Sequence, residues 1–289
     1  MFSLEDEKLL AQPLPEPRAV RVRSPVFADG SGVIEYREAG APERPAVLLM
    51  HGIGSSSAGY RAQLAGLQSR WRVIAWNAPG FGGSTPLADP QPECSRYVDA
   101  AVAMLEVLGV RQLAGLVGSS WGSVVAAAFA HSAGIPLKAL VLSAPNTARG
   151  YDRPAEEREA ARQEALRVGL ASFTQDRERI ADKLLSPDAA ASARAHTLRL
   201  RDAVTPAGWQ QAMNMLFTVH TPKLLPGIAA EITVIVGRDD MLAPEESHAA
   251  VLRAARSDMT YHRLEGVGHM PKLEAPVAFN DLVHRSIIA

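Results

Sequence analysis

A serine held between two glycines, where a strand turns into a helix, can attack a carbonyl carbon. Gly118-Ser119-Ser120-Trp121-Gly122 places Ser120 in that position. The stretch before it, Gln112 to Val117, is rich in Leu, Val and Ala and reads as a strand; Ser123 to Ala130 reads as a helix. The turn is so tight that side chains at the two glycines would meet neighbouring backbone. It lifts the Ser120 hydroxyl to a helix N-terminus, where amide groups favour developing negative charge. The pentapeptide by itself also fits an ordinary helix N-cap, so the reading depends on partners elsewhere.

A serine hydroxyl needs a base to take its proton, usually a histidine oriented by a carboxylate. On a strand–turn–helix scaffold the chain order is Ser, then acid, then His. Glu231 to Val236 is short, apolar and β-branched, the pattern of a buried strand, and it ends in Gly237-Arg238-Asp239-Asp240. Thr260 to Leu264 alternates like a strand and ends in Glu265-Gly266-Val267-Gly268-His269. An acid and a histidine thus each sit just past a strand's C-terminal end, where open α/β sheets place their sites. Asp239 and Asp240 both remain candidates at this point, since Asp also caps solvated turns.

Of the 8 histidines, His269 alone combines a post-strand loop, a preceding glycine and the right chain order. His51 opens a glycine loop and reads as a structural hydrogen-bonding group beneath it. His262 lies in a strand pattern, and His131, His248 and His284 fall in helix-like stretches. His196 and His220 lie in a region without motifs, where they could face a substrate.

Further segments run along the chain in order. They are Leu48-Leu49-Met50-His51-Gly52-Ile53-Gly54, Trp76-Asn77-Ala78-Pro79-Gly80-Phe81-Gly82-Gly83-Ser84, Gly237 to Pro244, and Gly268-His269 followed by Glu274, Pro276, Phe279 and Asn280. With the Ser120 turn, the nucleophile elbow, they resemble the α/β-hydrolase fold superfamily. The resemblance is to its branch of small cap-bearing esterases, enol-lactonases, carbon–carbon bond (meta-cleavage-product) hydrolases and prolyl aminopeptidases. It implies a catalytic triad of Ser120, Asp240 and His269, because the acid is the third residue after the glycine and four before the proline. Some relatives carry the acid after the sixth strand, but here Ala139 to Leu142 ends in Ser143-Ala144-Pro145-Asn146, without a carboxylate.

The resemblance also implies an oxyanion hole made by the backbone amides of Ile53 and Trp121, with Gly52, Gly54 and Met270 around the pocket. G-x-S-W-G-S is similar to the elbow of prolyl aminopeptidases, yet those enzymes usually carry HGGPG where this chain has His51-Gly52-Ile53-Gly54. The plainer reading of Trp121 is a packing residue beneath the cap. Met270 stands where many carbon–carbon bond hydrolases carry Trp. Asn77 stands where relatives usually have Asp, and reads as a structural hydrogen-bonding site at a strand end.

The elements that must position these residues form an α/β fold: a mostly parallel eight-stranded sheet flanked by helices. Strands are expected at Val20–Val22, Gly32–Tyr36, Ala46–Met50, Arg72–Trp76, Leu113–Val117 and Ala139–Leu142, besides the two above, and helices at Tyr60–Ser69 and Ser95–Leu108. Helices between β runs imply parallel pairing, and the first strands, with no helix between them, an antiparallel edge. Residues 1–17, charged and Pro-rich, read as a loose lead-in, 18–145 and 227–289 as the core, and 146–226 as a helical cap inserted after the sixth strand. Arg and Glu crowd Pro154 to Arg167, Ile180, Leu184 and Leu185 recur at helical spacing, and Thr205-Pro206 is a helix start. Trp209, Met213, Met215, Leu216 and Phe217 make an apolar stretch, from which Trp209, Met213 and Phe217 are the candidates for the pocket roof.

Composition fits one compact enzyme: 289 residues, 47% of them hydrophobic. With 30 Lys plus Arg against 31 Asp plus Glu, the net charge of −1 gives no basis for a nucleic-acid partner. The single Cys94 cannot form an internal disulfide, and no cysteine spacing suits a metal. There is no apolar run suited to a membrane and no secretory pattern at the N-terminus. The expectation is a cytoplasmic serine hydrolase of a small carboxylic ester or lactone, with no cofactor, metal, nucleic-acid or membrane partner, and with homo-oligomerisation left open. Alternatives are a carbon–carbon bond hydrolase of a vinylogous diketo acid, whose carboxylate Arg194, Arg199 or Arg201 could receive; a prolyl aminopeptidase; or a ligand-binding protein or cofactor-free lyase or oxygenase on the same scaffold.

Overall fold

The computed structural model describes residues 2–150, 154–175 and 177–289, with backbone alone over 170–175. Residues 1, 151–153 and 176 of the expected lead-in and cap lie outside that description. In chain order the regular elements begin with α1 (Leu4–Ala11), β1 (Arg18–Arg23), β2 (Ser31–Ala39), β3 (Ala46–Met50), α2 (Arg61–Leu67), β4 (Arg72–Trp76), α3 (Cys94–Val107), β5 (Leu113–Ser119), α4 (Trp121–Ser132) and β6 (Leu137–Ser143). They continue through α5 (Ala155–Gln175), α6 (Arg177–Leu184), α7 (Ala191–Leu200), α8 (Pro206–Met215) and α9 (Thr221–Leu224) to β7 (Glu231–Gly237), α10 (Ala249–Ala255), β8 (Thr260–Leu264), α11 (Pro271–Glu274) and α12 (Pro276–Ile288).

The eight strands form one sheet in the order β1-β2-β4-β3-β5-β6-β7-β8. β2 runs antiparallel to both β1 and β4, and every pair from β4 to β8 is parallel. The alternation of side chains along a strand sorts the core into two layers. Val47, Leu49, Val73 and Ala75 point to one face and pack against Leu64 and Leu67 of α2 and Phe279, Val283 and Ile287 of α12. Leu48, Met50, Ile74 and Trp76 point to the other, against α3 and α4. β3 is buried on both faces, as its unbroken apolar run requires.

Where a loose lead-in was expected, Leu4–Ala11 forms the docked helix α1. Ser3 and Asp6 form a reciprocal capping box at the start of α1. Asp6 Oδ1 also accepts from the Val277 amide at 2.8 Å, and Leu10 is fully buried. Charge and proline content concealed the one buried leucine and the acid that dock the helix.

Between β6 and β7 the described residues contain helices and no strand element. α8 starts as its sequence suggests: Thr205 Oγ1 accepts from the Gly208 amide at 2.9 Å, and Pro206 occupies the first turn. The same hydroxyl donates to the Gly80 carbonyl at 2.8 Å, tying the helical insertion to the Pro79-Gly80 turn of the core. Among the described residues no helix is long and apolar enough to cross a membrane.

Candidate active site

Because β3 and β5 to β8 are mutually parallel, the turns that follow β3, β5, β7 and β8 emerge on one edge of the sheet. Ser120 occupies the turn between β5 and α4 with φ 55° and ψ −119°, a left-handed conformation that costs a non-glycine residue energy. The glycines make the turn possible. A Cβ at Gly118 would fall 2.4 Å from the Gly122 carbonyl oxygen, and one at Gly122 would fall 2.3 Å from that of Met50. Hydrogen bonds hold the strained residue from both sides. Its amide donates to the Ser143 carbonyl at 2.9 Å, and Ser123 Oγ donates to its carbonyl at 2.5 Å while accepting from the Asn146 amide at 3.0 Å.

The Asp239-Asp240 doublet separates into two roles. Asp240 is 7% exposed, and its Oδ2 lies 2.8 Å from His269 Nδ1. Its Oδ1 accepts from the amides of Leu242 at 2.9 Å and Ala243 at 2.8 Å. Burial pushes this carboxyl up, but the His269 hydrogen bond and charge, with the two amides, outweigh it and hold it below the ordinary carboxylate range. Asp239 turns away and accepts from Ser186 Oγ at 2.8 Å. The His269 loop reaches Asp240 because Gly237 and Gly268 touch backbone to backbone; a Cβ on Gly237 would sit 2.1 Å from the Gly268 carbonyl oxygen. The insertion completes the seat: the Leu184 carbonyl at the end of α6 accepts from the His269 amide at 2.7 Å.

Ser120 and His269 line one cavity of about 240 Å³. Among the described residues no direct hydrogen bond joins their side chains, and catalytic hydrogen bonds of this kind commonly tighten only around a bound substrate. Gly52, Ile53 and Gly54 form one wall, with Gly52 close against Ser120. The amides of Ile53 and Trp121 have no acceptor among the described residues. Trp121 itself is buried beneath the insertion, as its plainer reading expected: its Nε1 donates to the Ala212 carbonyl of α8 at 2.9 Å, and its ring meets Tyr97 edge-on at 4.9 Å. His51 holds the loop from below. Its Nε2 accepts from the Ala78 amide at 3.0 Å and its Nδ1 donates to the Gly52 carbonyl at 2.9 Å. Burial lowers its pKa to about 4, so it is a neutral strut.

The chain belongs to the alpha/beta hydrolase fold family. The model of that family matches residues 45–276. The protein is accordingly an enzyme, a hydrolase. It is 30% identical to an uncharacterized protein of Mycobacterium tuberculosis (strain ATCC 25618 / H37Rv), over 93% of this chain and 83% of the other. It is 29% identical to a 2-hydroxymuconate semialdehyde hydrolase of Pseudomonas sp. (strain CF600), over 82% of this chain and 84% of that one. Among solved structures, a thermophilic esterase from Thermogutta terrifontis superposes with a TM-score of 0.78 at 22% identity, covering 93% of this chain and 97% of that one.

Of the pocket residues expected from sequence, Gly52, Gly54, Met213 and Met270 line the cavity, and Trp209 and Phe217 do not. Trp209 is buried against Gly169 of α5. Phe217 lies beneath the Arg149 guanidinium, 5.4 Å from it, beside a neighbouring cleft that also holds His220 and His248. Periodicity marks which residues are buried, but not which neighbour buries them. His196 does not reach the cavity either; it meets Arg61 and Arg199. Of the three arginines weighed for a substrate carboxylate, Arg194 pairs with Glu178 and Asp182 at the surface, Arg199 contacts the Ala195 carbonyl and His196, and Arg201 alone lines the cavity, beside Gly54.

Lys272, which sequence reasoning passed over, also lines the cavity. It is 1% exposed, and its Nζ donates to Ser119 Oγ at 2.8 Å. Burial lowers its pKa to about 7, against a smaller opposing influence from Glu274. Its only signal was a lysine inside the otherwise apolar Met270-Pro271-Lys272-Leu273. Among the described residues no group of three or more His, Cys, Asp or Glu side chains could hold a metal.

Proposed function

We propose that the protein is a serine hydrolase that cleaves a small carboxylic ester or lactone through Ser120, His269 and Asp240. The observation that carries this reading is the buried 2.8 Å Asp240–His269 pair opening on the same cavity as the strained Ser120. In the forward step Ser120 Oγ bonds to the substrate carbonyl carbon while His269 Nε2 takes the hydroxyl proton. The oxygen that gains charge is received by the Ile53 and Trp121 amides, worth several kcal/mol for preorganised donors. Collapse breaks the carbon–oxygen bond, and His269 returns its proton to the departing alkoxide. A water then adds to the acyl-enzyme, giving its proton to His269, and the acid leaves as Ser120 recovers the proton. Asp240 keeps Nδ1 protonated, so that Nε2 is the basic nitrogen, and stabilises the imidazolium. The helical insertion acts as a cap: Ile180, Leu184, Leu200 and Met213 bring apolar surface to a pocket whose size suits a small substrate.

A small fluorophosphonate tests the reading, because it needs an activated serine and a working oxyanion hole. Mass spectrometry should find one adduct, on Ser120, that disappears in Ser120→Ala. Folded protein without an adduct would overturn the reading.

A second reading, hydrolysis of a carbon–carbon bond in a vinylogous diketo acid, is favoured by Arg201 on the cavity wall and by the likeness to the semialdehyde hydrolase. Met270 in place of the Trp that many such enzymes carry speaks against it. Bleaching of a coloured ring-fission product would separate the two.

A further inference from the structure

Buried ammonium groups are costly unless surrounded by acceptors or paired with an anion. Lys272 has three donors, and among the described residues it meets one oxygen, Ser119 Oγ at 2.8 Å, and one weak acceptor, Met270 Sδ at 3.8 Å. Its Nζ also lies 5.4 Å from the centre of the Tyr60 ring. The nearest acid in sequence, Glu274, is occupied otherwise: it accepts from the amides of Ser186, Gly268 and Met270. No hydrogen bond or ion pair joins it to Lys272 among the described residues.

Cationic side chains line the cavity. Lys272, Arg201 and Arg149 all line it, and among the described residues no Asp or Glu does. Burial lowers the pKa of the Arg201 guanidinium, as does the charge of Arg177, so this cation too is partly removed from water. A hydrolase of neutral esters has no use for the buried Lys272 ammonium, which raises the cost of folding. An anionic substrate turns the cost into binding energy, and its charge holds Lys272 protonated.

Resting on the serine-hydrolase reading above, we propose that the substrate carries a carboxylate besides the reacting carbonyl, and that Lys272, beside Ser119, is the specificity-determining residue that receives it, with Arg201 adding to the attraction. Ser119 immediately precedes Ser120, so a carboxylate paired with Lys272 would anchor the substrate next to the nucleophile. This favours short acids: a half-ester of a dicarboxylic acid, or a lactone bearing a carboxylate.

The test compares mono-4-nitrophenyl glutarate with 4-nitrophenyl valerate, two esters of similar length that differ in charge. The wild-type enzyme should favour the acidic ester at least tenfold in kcat/KM. Lys272→Met should lower the acidic-to-neutral ratio at least tenfold, chiefly through KM. Wild-type protein supplies a second measurement if that variant does not fold. Monomethyl glutarate should slow fluorophosphonate labelling of Ser120 more strongly than uncharged dimethyl glutarate does. Equal handling of the two nitrophenyl esters, equal protection by the monomethyl and dimethyl glutarates, or an unchanged ratio in Lys272→Met would overturn the assignment while leaving Ser120 as the nucleophile. Absence of labelling would instead remove the hydrolase reading on which it rests.

Discussion

Trp121 Nε1 donates to the Ala212 carbonyl at 2.9 Å, so the residue next to Ser120 is fastened to the helix above it. Trp121 is 1% exposed and Ala212 fully buried, and both belong to the larger of the core layers. Trp121→Phe keeps most of the packing but leaves the buried carbonyl without its donor. The expected cost is about 1–3 kcal/mol. It should appear as a lower melting temperature and faster proteolysis between β6 and β7.

The two adjacent aspartates should behave very differently. Asp240→Asn preserves shape but can no longer hold His269 in the tautomer that leaves Nε2 basic, and kcat on an activated ester should fall by roughly 10³–10⁴-fold. Asp239→Asn loses only part of a hydrogen bond with Ser186 and should stay within about threefold of wild type. Comparable losses in both variants would contradict the assignment of Asp240.

Asn77 has a physical reason to be an amide. Its Oδ1 accepts from the Ser57 amide at 2.6 Å, and its Nδ2 donates to Glu35 Oε1. An aspartate here would face the Glu35 carboxylate, and one of the two would have to take up a proton. Asn77→Asp should therefore destabilise the fold by about 1–3 kcal/mol at neutral pH. Adding Glu35→Gln should recover part of that loss in denaturant melts, since the two residues are coupled by contact.

His51 predicts a dependence of stability on acid. Burial, opposed by the Gly52 carbonyl and aided by the Lys272 charge, lowers its pKa from 6.5 to about 4 in the folded chain. Between those values the unfolded chain binds a proton that the folded chain does not, so stability falls as pH drops through that window. The contribution amounts to roughly 3 kcal/mol when complete. His51→Gln cannot titrate, so its stability relative to wild type should rise as unfolding is measured from pH 7 down to 4.

The strands were legible from two patterns, unbroken apolar runs where both faces are buried and alternation at the sheet edge, where Thr260–Leu264 has no fully buried residue. Ala46–Met50, Arg72–Trp76 and Thr260–Leu264 form as their patterns indicate. The Ser120 turn was legible for a related reason: two glycines and a serine over five residues meet a steric demand confined to those residues. Chain order carried the acid and the histidine, since parallel strands bring successive loops to one edge of the sheet. The preference for Asp240 over Asp239 came from the resemblance rather than from the residues alone.

Contacts between distant segments could not be read in this way. Lys272 meets Ser119 across 153 positions, Trp121 meets Ala212 across 91, and Asn77 meets Glu35 across 42. Trp209 and Phe217 share the helical spacing of Met213, yet only Met213 reaches the cavity. Periodicity records that a side chain avoids water, and tight turns record local sterics; both act over a few residues. Which residues share a cavity, and which buried charge is left short of acceptors, depend on how the sheet and the helical insertion close on each other. Those relations arise only when the whole chain has folded.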